Sequence, residues 1–496
     1  MALVPFGEYT PDLPDYLNSG ATVALNVVPL TTKSYGPFRQ LKTVTSALTA
    51  SCRGAIGAKD YAHTITVFAG DTTKLYKLNA LTWSDVSRTP SYTIGEESYW
   101  QFVQYGQRVI AVSLNTNIQS FLLQTDTNFS DLSADAPQAE SIAVIRDFVM
   151  VGSTYDSVDG YTPNQAWWCA IDNPASWPTP GTSAATAVQS DKQIIPEGGA
   201  IQGIIGAVAG SDGAIFLEES IYRVTYVGSP IIFQFDRVEK LRGTRIPGSI
   251  INAGISAFYL GVDGFYAFDG LQSTPIGNEK VDKTFFDDFD QTYFYRVFSA
   301  LDVINKQVMW AYPGAGNTGG FPNKIIIFNW VTNRWSLVEQ NLEYFFRDYS
   351  VGYTLDQLDP FGTMETLPYS LDSRKWQGGT ILLSGFDLDH KFGGFDGDIL
   401  SATLETGEFD GGNGQRAFIT GVRPVVDGGV SSISIGKREQ LGATINYSTP
   451  TTAGVDGVCP QRTSSRYNRA RVTIAPTTTW THAQGIEPIA QPDGDR

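Results

Sequence analysis

One phrase recurs along the first three quarters of the chain and constrains its fold more than any other feature. Leu75-Tyr76-Lys77-Leu78-Asn79 runs into Trp83-Ser84, and Ile325-Ile326-Ile327-Phe328-Asn329 runs into Trp335-Ser336. Trp167-Trp168-Cys169-Ala170-Ile171-Asp172-Asn173 runs into Trp177, and Gly264-Phe265-Tyr266-Ala267-Phe268-Asp269-Gly270 repeats the pattern without the Trp. Each copy is an apolar or aromatic strand stopped by Asn or Asp, then a short turn, and often a Trp opening the return strand. Asn and Asp suit the stop because their side chains bond nearby backbone groups and tolerate left-handed conformations. Copies tens of residues apart are the spacing of four-stranded units, which is the pattern of a β-propeller.

Strands between residues 46 and 375 fall into matching groups. Residues 200–208, 214–218, 221–227 and 231–238 form one four-strand group. Residues 250–255, 257–260, 264–268 and 273–276 form another, and 297–302, 307–312, 324–329 and 334–338 a third. Gly106-Gln107 and Arg146-Asp147 read as two-residue hairpin turns in earlier groups. The pattern predicts an all-β chain: an irregular β-propeller of six blades, or seven with the last closed by the N-terminal arm. Residues 1–45, with five prolines, read as an extended arm carrying one strand near 21–28. The only helix expected lies over 282–289. From residue 376 Gly becomes dense, the phrase disappears, and longer strands polar on one side predict a separate β-sandwich-like domain over 376–496. A single irregular final blade is the alternative.

Composition agrees with a folded, turn-rich protein. Of 496 residues 42% are hydrophobic and 12% aromatic, with 50 Gly and 25 Pro. The formal net charge of −16 has the wrong sign for general attraction to nucleic acid phosphates. Cys52, Cys169 and Cys459 are odd in number and far apart, so they predict buried thiols from a reducing compartment. No basic segment precedes an apolar run at the N-terminus, and no stretch approaches the roughly 18 apolar residues of a membrane span. A chain made in the cytosol without a cleavable signal is expected.

Candidate chemistry is sparse. His63, His390 and His482 stand in three different regions without Cys, His or Glu at metal-ligand spacing, and no GxSxG elbow is present. The reading is of a protein that is not an enzyme and uses no cofactor. Asp387, Asp389, Asp396 and Asp398 lie in one Gly-rich loop, where calcium binding is chemically open but a solvated turn is favoured, because the spacing is not that of an EF-hand. Arg462, Arg466, Arg469 and Arg471, interleaved with Tyr467, form a basic island in an acidic chain. Arg and Tyr anchor protein interfaces, so a subunit contact is favoured there over a phosphate patch. The Gly-flanked segments 314–320 and 353–365 are candidates for mobile or contact loops.

The C-terminal third resembles a known family. Ser401-Ala402-Thr403-Leu404-Glu405-Thr406-Gly407-Glu408 leads to Arg416-Ala417-Phe418-Ile419-Thr420-Gly421-Val422-Arg423-Pro424-Val425-Val426-Asp427. Ser465-Arg466-Tyr467-Asn468-Arg469-Ala470-Arg471-Val472-Thr473-Ile474 and Trp480-Thr481-His482-Ala483-Gln484-Gly485 follow. Together they resemble the tail nozzle, or tail hub, proteins of short-tailed bacteriophages. Asn26-Val27-Val28-Pro29-Leu30 with Tyr35-Gly36-Pro37 resembles the opening of the same family. The resemblance implies a propeller with added β domains, six copies in a ring below the portal and adaptor, and contacts to tail fibre or needle proteins. It implies a virion tail location after assembly in the host cytoplasm, passage of DNA without sequence-specific binding, and contact with the host envelope only through the tail tip. Two rivals stand beside it: a receptor- or glycan-binding propeller, which predicts a polar aromatic pocket, and a propeller glycosidase, which predicts paired carboxylates in a central one.

Overall fold

The computed structural model describes residues 3–16, 18–350, 378–410 and 415–493, with residues 352, 362–365, 367, 370 and 371 between them. Among the described residues, six four-stranded antiparallel sheets and four consecutive antiparallel strands of a ten-stranded sheet make seven blades. Blade 1 comprises Ala55–Lys59, Ile65–Gly70, Leu75–Asn79 and Thr82–Asp85. Blade 2 comprises Gln101–Tyr105, Arg108–Val112, Gln119–Leu122 and Ser130–Asp131, and blade 3 Gln138–Ile145, Phe148–Asp156, Gly160–Trp168 and Asp191–Ile194. Blade 4 comprises Ile201–Val208, Ser211–Leu217, Ser220–Gly228 and Ile232–Lys240, and blade 5 Ile251–Asn252, Ala257–Leu260, Phe265–Phe268 and Ser273–Pro275. Blade 6 comprises Phe298–Asp302, Gln307–Tyr312, Lys324–Asn329 and Arg334–Glu339. Blade 7 takes Tyr344–Tyr349, Ile381–Phe386 and Lys391–Gly394 from late in the chain and Lys42–Ala47 from its beginning. The first strand of every blade touches the first strands of both neighbours, so the seven close into a ring. The fold is a β-propeller.

The recurring phrase marks the hairpin between third and fourth strands. At its stop Asn329 Oδ1 accepts from the N–H groups of Val331 and Thr332 at 3.1 and 3.0 Å. Asp269 Oδ1 accepts from those of Leu271 and Gln272 at 2.9 and 2.8 Å. The third copy departs from the expectation. Trp177 does not open a return strand but is buried, and helix α1 (Ser183–Val188) intervenes before Asp191–Ile194. So short an Ala-rich helix leaves no apolar period to detect. Helix α2 (Asp282–Asp288) falls where a helix was expected.

The described residues of 1–45 are built into the sheets instead of forming the extended arm expected from sequence. Lys42–Ala47 closes blade 7, with the Thr43 hydroxyl donating to Asp387 Oδ2 at 2.9 Å and the Phe392 N–H to Thr45 Oγ1 at 3.0 Å. Earlier strands enter a two-sheet sandwich. One sheet holds Val4–Pro5, Val27–Thr31, Ser34–Pro37, Ala483–Pro492, Ala417–Val426 and Cys459–Ser465. The other extends blade 6: Val23–Leu25 pairs in parallel with its outer strand, at Leu25 and Leu337, then continues into Ala402–Glu405, Tyr467–Ile474 and Ser431–Arg438. The propeller also runs past residue 375, the boundary expected from sequence, because its third strand in blade 7 ends at Gly394. Trp310 and Trp335 of blade 6 share one buried core with Tyr35, Leu404, Val472 and Trp480 of the sandwich. Arg334 pins the early residues to blade 6. Its guanidinium donates to the carbonyls of Thr31 at 3.0 Å, Phe6 at 2.8 Å and Gly7, and stacks over Tyr35 at 4.2 Å. Asp12 accepts from the Lys283 and Thr284 N–H groups, both at 2.8 Å, and so caps α2 from 271 residues away.

Candidate functional site

The first strands of the blades enclose an axial cavity of about 500 Å³ at the face carrying the connections between blades. Its wall comes from Gln101 of blade 2, Glu140 of blade 3, Ile201 and Gln202 of blade 4, the Pro247-Gly248 connection to blade 5, Phe298 of blade 6 and Tyr344 of blade 7. A second cavity of about 260 Å³ lies along the axis, sharing Trp100, Gln101, Pro247, Gly248, Phe298 and Tyr344 and adding Ala55 of blade 1. Three rings form the floor of the first cavity: Phe298 of blade 6 packs edge-on against Tyr99, just ahead of blade 2, at 5.0 Å and against Tyr344 of blade 7 at 4.8 Å.

Close backbone packing positions this floor. The Trp100 indole N–H donates to the Asp71 carbonyl at 2.8 Å, and its ring lies against Gly70, where a Cβ would fall 2.4 Å from Cδ1. A Cβ at Gly248 would lie 2.0 Å from the Val297 carbonyl oxygen, so the connection to blade 5 needs a glycine there. At the rim, Glu140 accepts from the Ser153 hydroxyl at 2.6 Å and the Tyr161 hydroxyl at 3.3 Å. Arg245 stands 3.8 Å from Glu219. The side chains of Glu97, Glu218 and Gln202 and the Tyr99 hydroxyl, all facing this cavity, have no hydrogen-bond partner among the described residues. Behind Tyr99 stand two buried arginines. Arg53 lies 5.3 Å over the Tyr99 ring, and Arg296 lies 5.5 Å over Tyr295 and 4.3 Å over Phe321.

The basic island has a different fate from the one expected. Arg469 is buried, with ion pairs to Asp15 at 2.5 Å, Glu408 at 3.2 Å and Glu405 at 3.5 Å. Arg471 pairs with Glu405 at 2.7 Å and stacks over Tyr447 at 3.9 Å. Arg438, which sequence reasoning did not single out, joins them through Glu408 at 2.7 Å and Asp15 at 3.0 Å. Tyr467 meets Tyr16 edge-on at 6.4 Å. Three arginines and three carboxylates thus neutralise one another inside the sandwich, which corrects the reading of Arg469 as a free subunit contact. Arg462 is exposed and Arg466 half-buried; neither joins the cluster. The available signal was the alternate spacing of Arg469 and Arg471 on one strand, with Glu405 directly opposite Arg471.

The remaining candidates also find internal roles. Asp387 caps its own turn, accepting from the N–H groups of Asp389 and Lys391 at 2.9 and 3.0 Å. Among the described residues no group of three His, Cys, Asp or Glu side chains is placed to hold a metal. His390 pairs with buried Glu343 at 2.6 Å, His482 lies 3.5 Å from Asp427, and His63 occupies a blade 1 turn. All three cysteines are free and buried, and burial pushes their thiols up, Cys169 to about 12. Loop 314–320 is tied down by Asn317, which bonds Asp290 and Gly314, and by Asn323, which accepts from the Gly314 N–H. Most of 353–365 lies outside the described residues. No described helix is long and apolar enough to cross a membrane.

No known family model and no curated protein matches the chain. Among solved structures it is similar to the extracellular domain of a one component system from B. thetaiotaomicron, at 11% identity and a TM-score of 0.42 over 89% of this chain. This chain spans about half, 47%, of that protein's length. It is also similar to the Neurospora crassa Pan2 WD40 domain (6% identity, TM-score 0.36, 62% of this chain and 89% of that one). A computationally designed protein, Ika8, matches at 8% identity and a TM-score of 0.35, covering 72% of this chain and 99% of its own. Likeness at this level speaks to no ligand, partner or reaction.

Proposed function

We propose that the chain is a structural subunit of a short-tailed bacteriophage tail, a nozzle or hub assembled six to a ring. It extends the DNA channel below the portal and adaptor rings and meets fibre or needle proteins at the tip. One observation carries this reading. The segments that resemble the family lie at opposite ends of the sequence, yet they are neighbours in space. Val27–Thr31 and Ser34–Pro37 share one sheet with Ala417–Val426 and Ala483–Pro492. Ala402–Glu405 and Tyr467–Ile474 pair in the sheet facing it. A resemblance scattered by chance has no reason to converge on a single unit.

The charge supports the same reading. Six copies of a chain at −16 carry a large excess of negative charge, which is opposite to what general attraction to a duplex would need. The role is geometric, with no reaction assigned. Electron microscopy of particles that carry the protein tests it by counting copies and rotational symmetry. Six copies around an axial channel at the tail are expected. Trimeric peripheral spikes, or a monomer free of any ring, would overturn the proposal.

A further inference from the structure

We infer that the axial cavity of the propeller binds a neutral saccharide of one or two rings. The inference concerns this cavity alone and is independent of the ring assembly. At about 500 Å³ the cavity falls within the roughly 300–1,000 Å³ of small-molecule sites. Its wall is drawn from many blades at once, so its shape is set by the closed ring rather than by one loop.

The chemistry of the wall narrows the occupant. The carboxylates of Glu97 and Glu218, the Gln202 amide and the Tyr99 hydroxyl face the cavity without partners among the described residues. An apolar ligand would leave these groups desolvated and unsatisfied, at about 1–3 kcal/mol each. An anion is opposed by Glu97, Glu140 and Glu218, against Arg245, the single lining cation among the described residues, which already faces Glu219. An organic cation would answer the carboxylates but offers no acceptor to the Gln202 amide or the Tyr99 hydroxyl. The chain's own guanidiniums stand over Tyr99 and Tyr295. A neutral polyhydroxylated ring meets none of these objections. Its hydroxyls donate to carboxylates and accept from amide and phenol groups, and its C–H face can rest on Phe294, which is 38% exposed at the rim.

Saturation-transfer NMR on the full chain tests this with glucose, galactose, N-acetylglucosamine, maltose and lactose. Spermidine and glucose 6-phosphate serve as the cationic and anionic comparisons. At least one neutral sugar is expected to bind, with affinity unchanged by added salt. Glu218→Gln and Phe294→Ala alter a turn and an exposed ring, and circular dichroism establishes that each folds. Each is expected to weaken sugar binding about tenfold. Binding by none of the five sugars, binding by spermidine or glucose 6-phosphate alone, or sugar binding equal in both folded variants would overturn the inference. If neither variant folds, Gln202→Ala takes their place and is read the same way.

Discussion

Asp348 lies in the first strand of blade 7 with its carboxylate turned toward blade 1. A Cβ at Gly57 would sit 2.0 Å from Asp348 Oδ1, so glycine at that place makes room for the acid in the seam where the ring closes. Burial pushes the Asp348 pKa up to about 7, against the opposing pull of the Tyr349 N–H and the Ser384 hydroxyl. An unfolded aspartate titrates near about 3.9. Between these values the folded chain keeps a proton that the unfolded chain has released. Stability is therefore fully present below the lower value and falls as pH rises to the upper one. Asp348→Asn keeps the size and the acceptor for Tyr349 but cannot ionise. It is expected to stabilise the protein at pH 8 by on the order of 2–4 kcal/mol and to flatten this part of the pH profile. Thermal unfolding of both proteins between about pH 5 and pH 9 checks it. Parallel profiles would show that the acid is solvated and exerts no such load.

At the scale of elements, Arg334 ties separate points of the early segment to blade 6. Its buried guanidinium satisfies three carbonyls of residues 6, 7 and 31 at once. Arg334→Ala removes all three bonds and leaves the Phe6 carbonyl buried without this donor, while the Tyr35 hydroxyl still reaches the Gly7 carbonyl at 3.0 Å, at a cost of about 1–3 kcal/mol. Residues 1–40 are then expected to become sensitive to limited proteolysis while blades 1 to 4 keep their protection, as mass spectrometry of the fragments would show. Unchanged cleavage would mean that strand pairing alone holds this segment. These contacts also explain what could be read in advance. The blade hairpins were legible because Asn79, Asp269 and Asn329 stop their strands by local hydrogen bonds that any sequence window contains. Beyond the one strand expected near 21–28 the early strands were not, because they are two to six residues long and, apart from the hairpin of Val27–Thr31 with Ser34–Pro37, their partners lie hundreds of residues away, where propensity carries little information. The arginine island was visible but its meaning was not, since Asp15, Glu405 and Glu408 reach it only through the tertiary fold. The axial cavity left no motif at all: Tyr99 precedes blade 2, Phe298 and Tyr344 open blades 6 and 7, and the three meet only when the ring closes.

For the whole molecule, the path of the chain matters more than any single contact. It begins in the sandwich, closes blade 7, circles the propeller and returns to the sandwich. The sandwich is consequently incomplete without the first forty residues. Ala402–Glu405 needs Val23–Leu25 beside it, and Ala483–Pro492 needs Val4–Pro5 and Ser34–Pro37. The buried core agrees: Tyr35, Val27 and Phe6 pack in the same cluster as Leu404, Val472 and Ile486. A fragment spanning residues 395–493 would expose both strand edges and part of this core, and exposed edges and apolar surface favour aggregation over folding. That fragment is expected to show neither a cooperative thermal transition nor dispersed amide resonances. Joining residues 1–40 to its C-terminal end through a flexible Gly-Ser linker restores the early strands of both sheets, leaving only the edge toward blade 6 open, and is expected to recover both signals. The distance from Pro492 back to Val4 is short because Val4 pairs with Ile486 in the same sheet, so the linker bridges neighbours. If the bare fragment folds cooperatively, the early strands are additions to a finished domain. If only the joined one does, the sandwich is a unit that the chain must leave and revisit, and the propeller is held between its two halves.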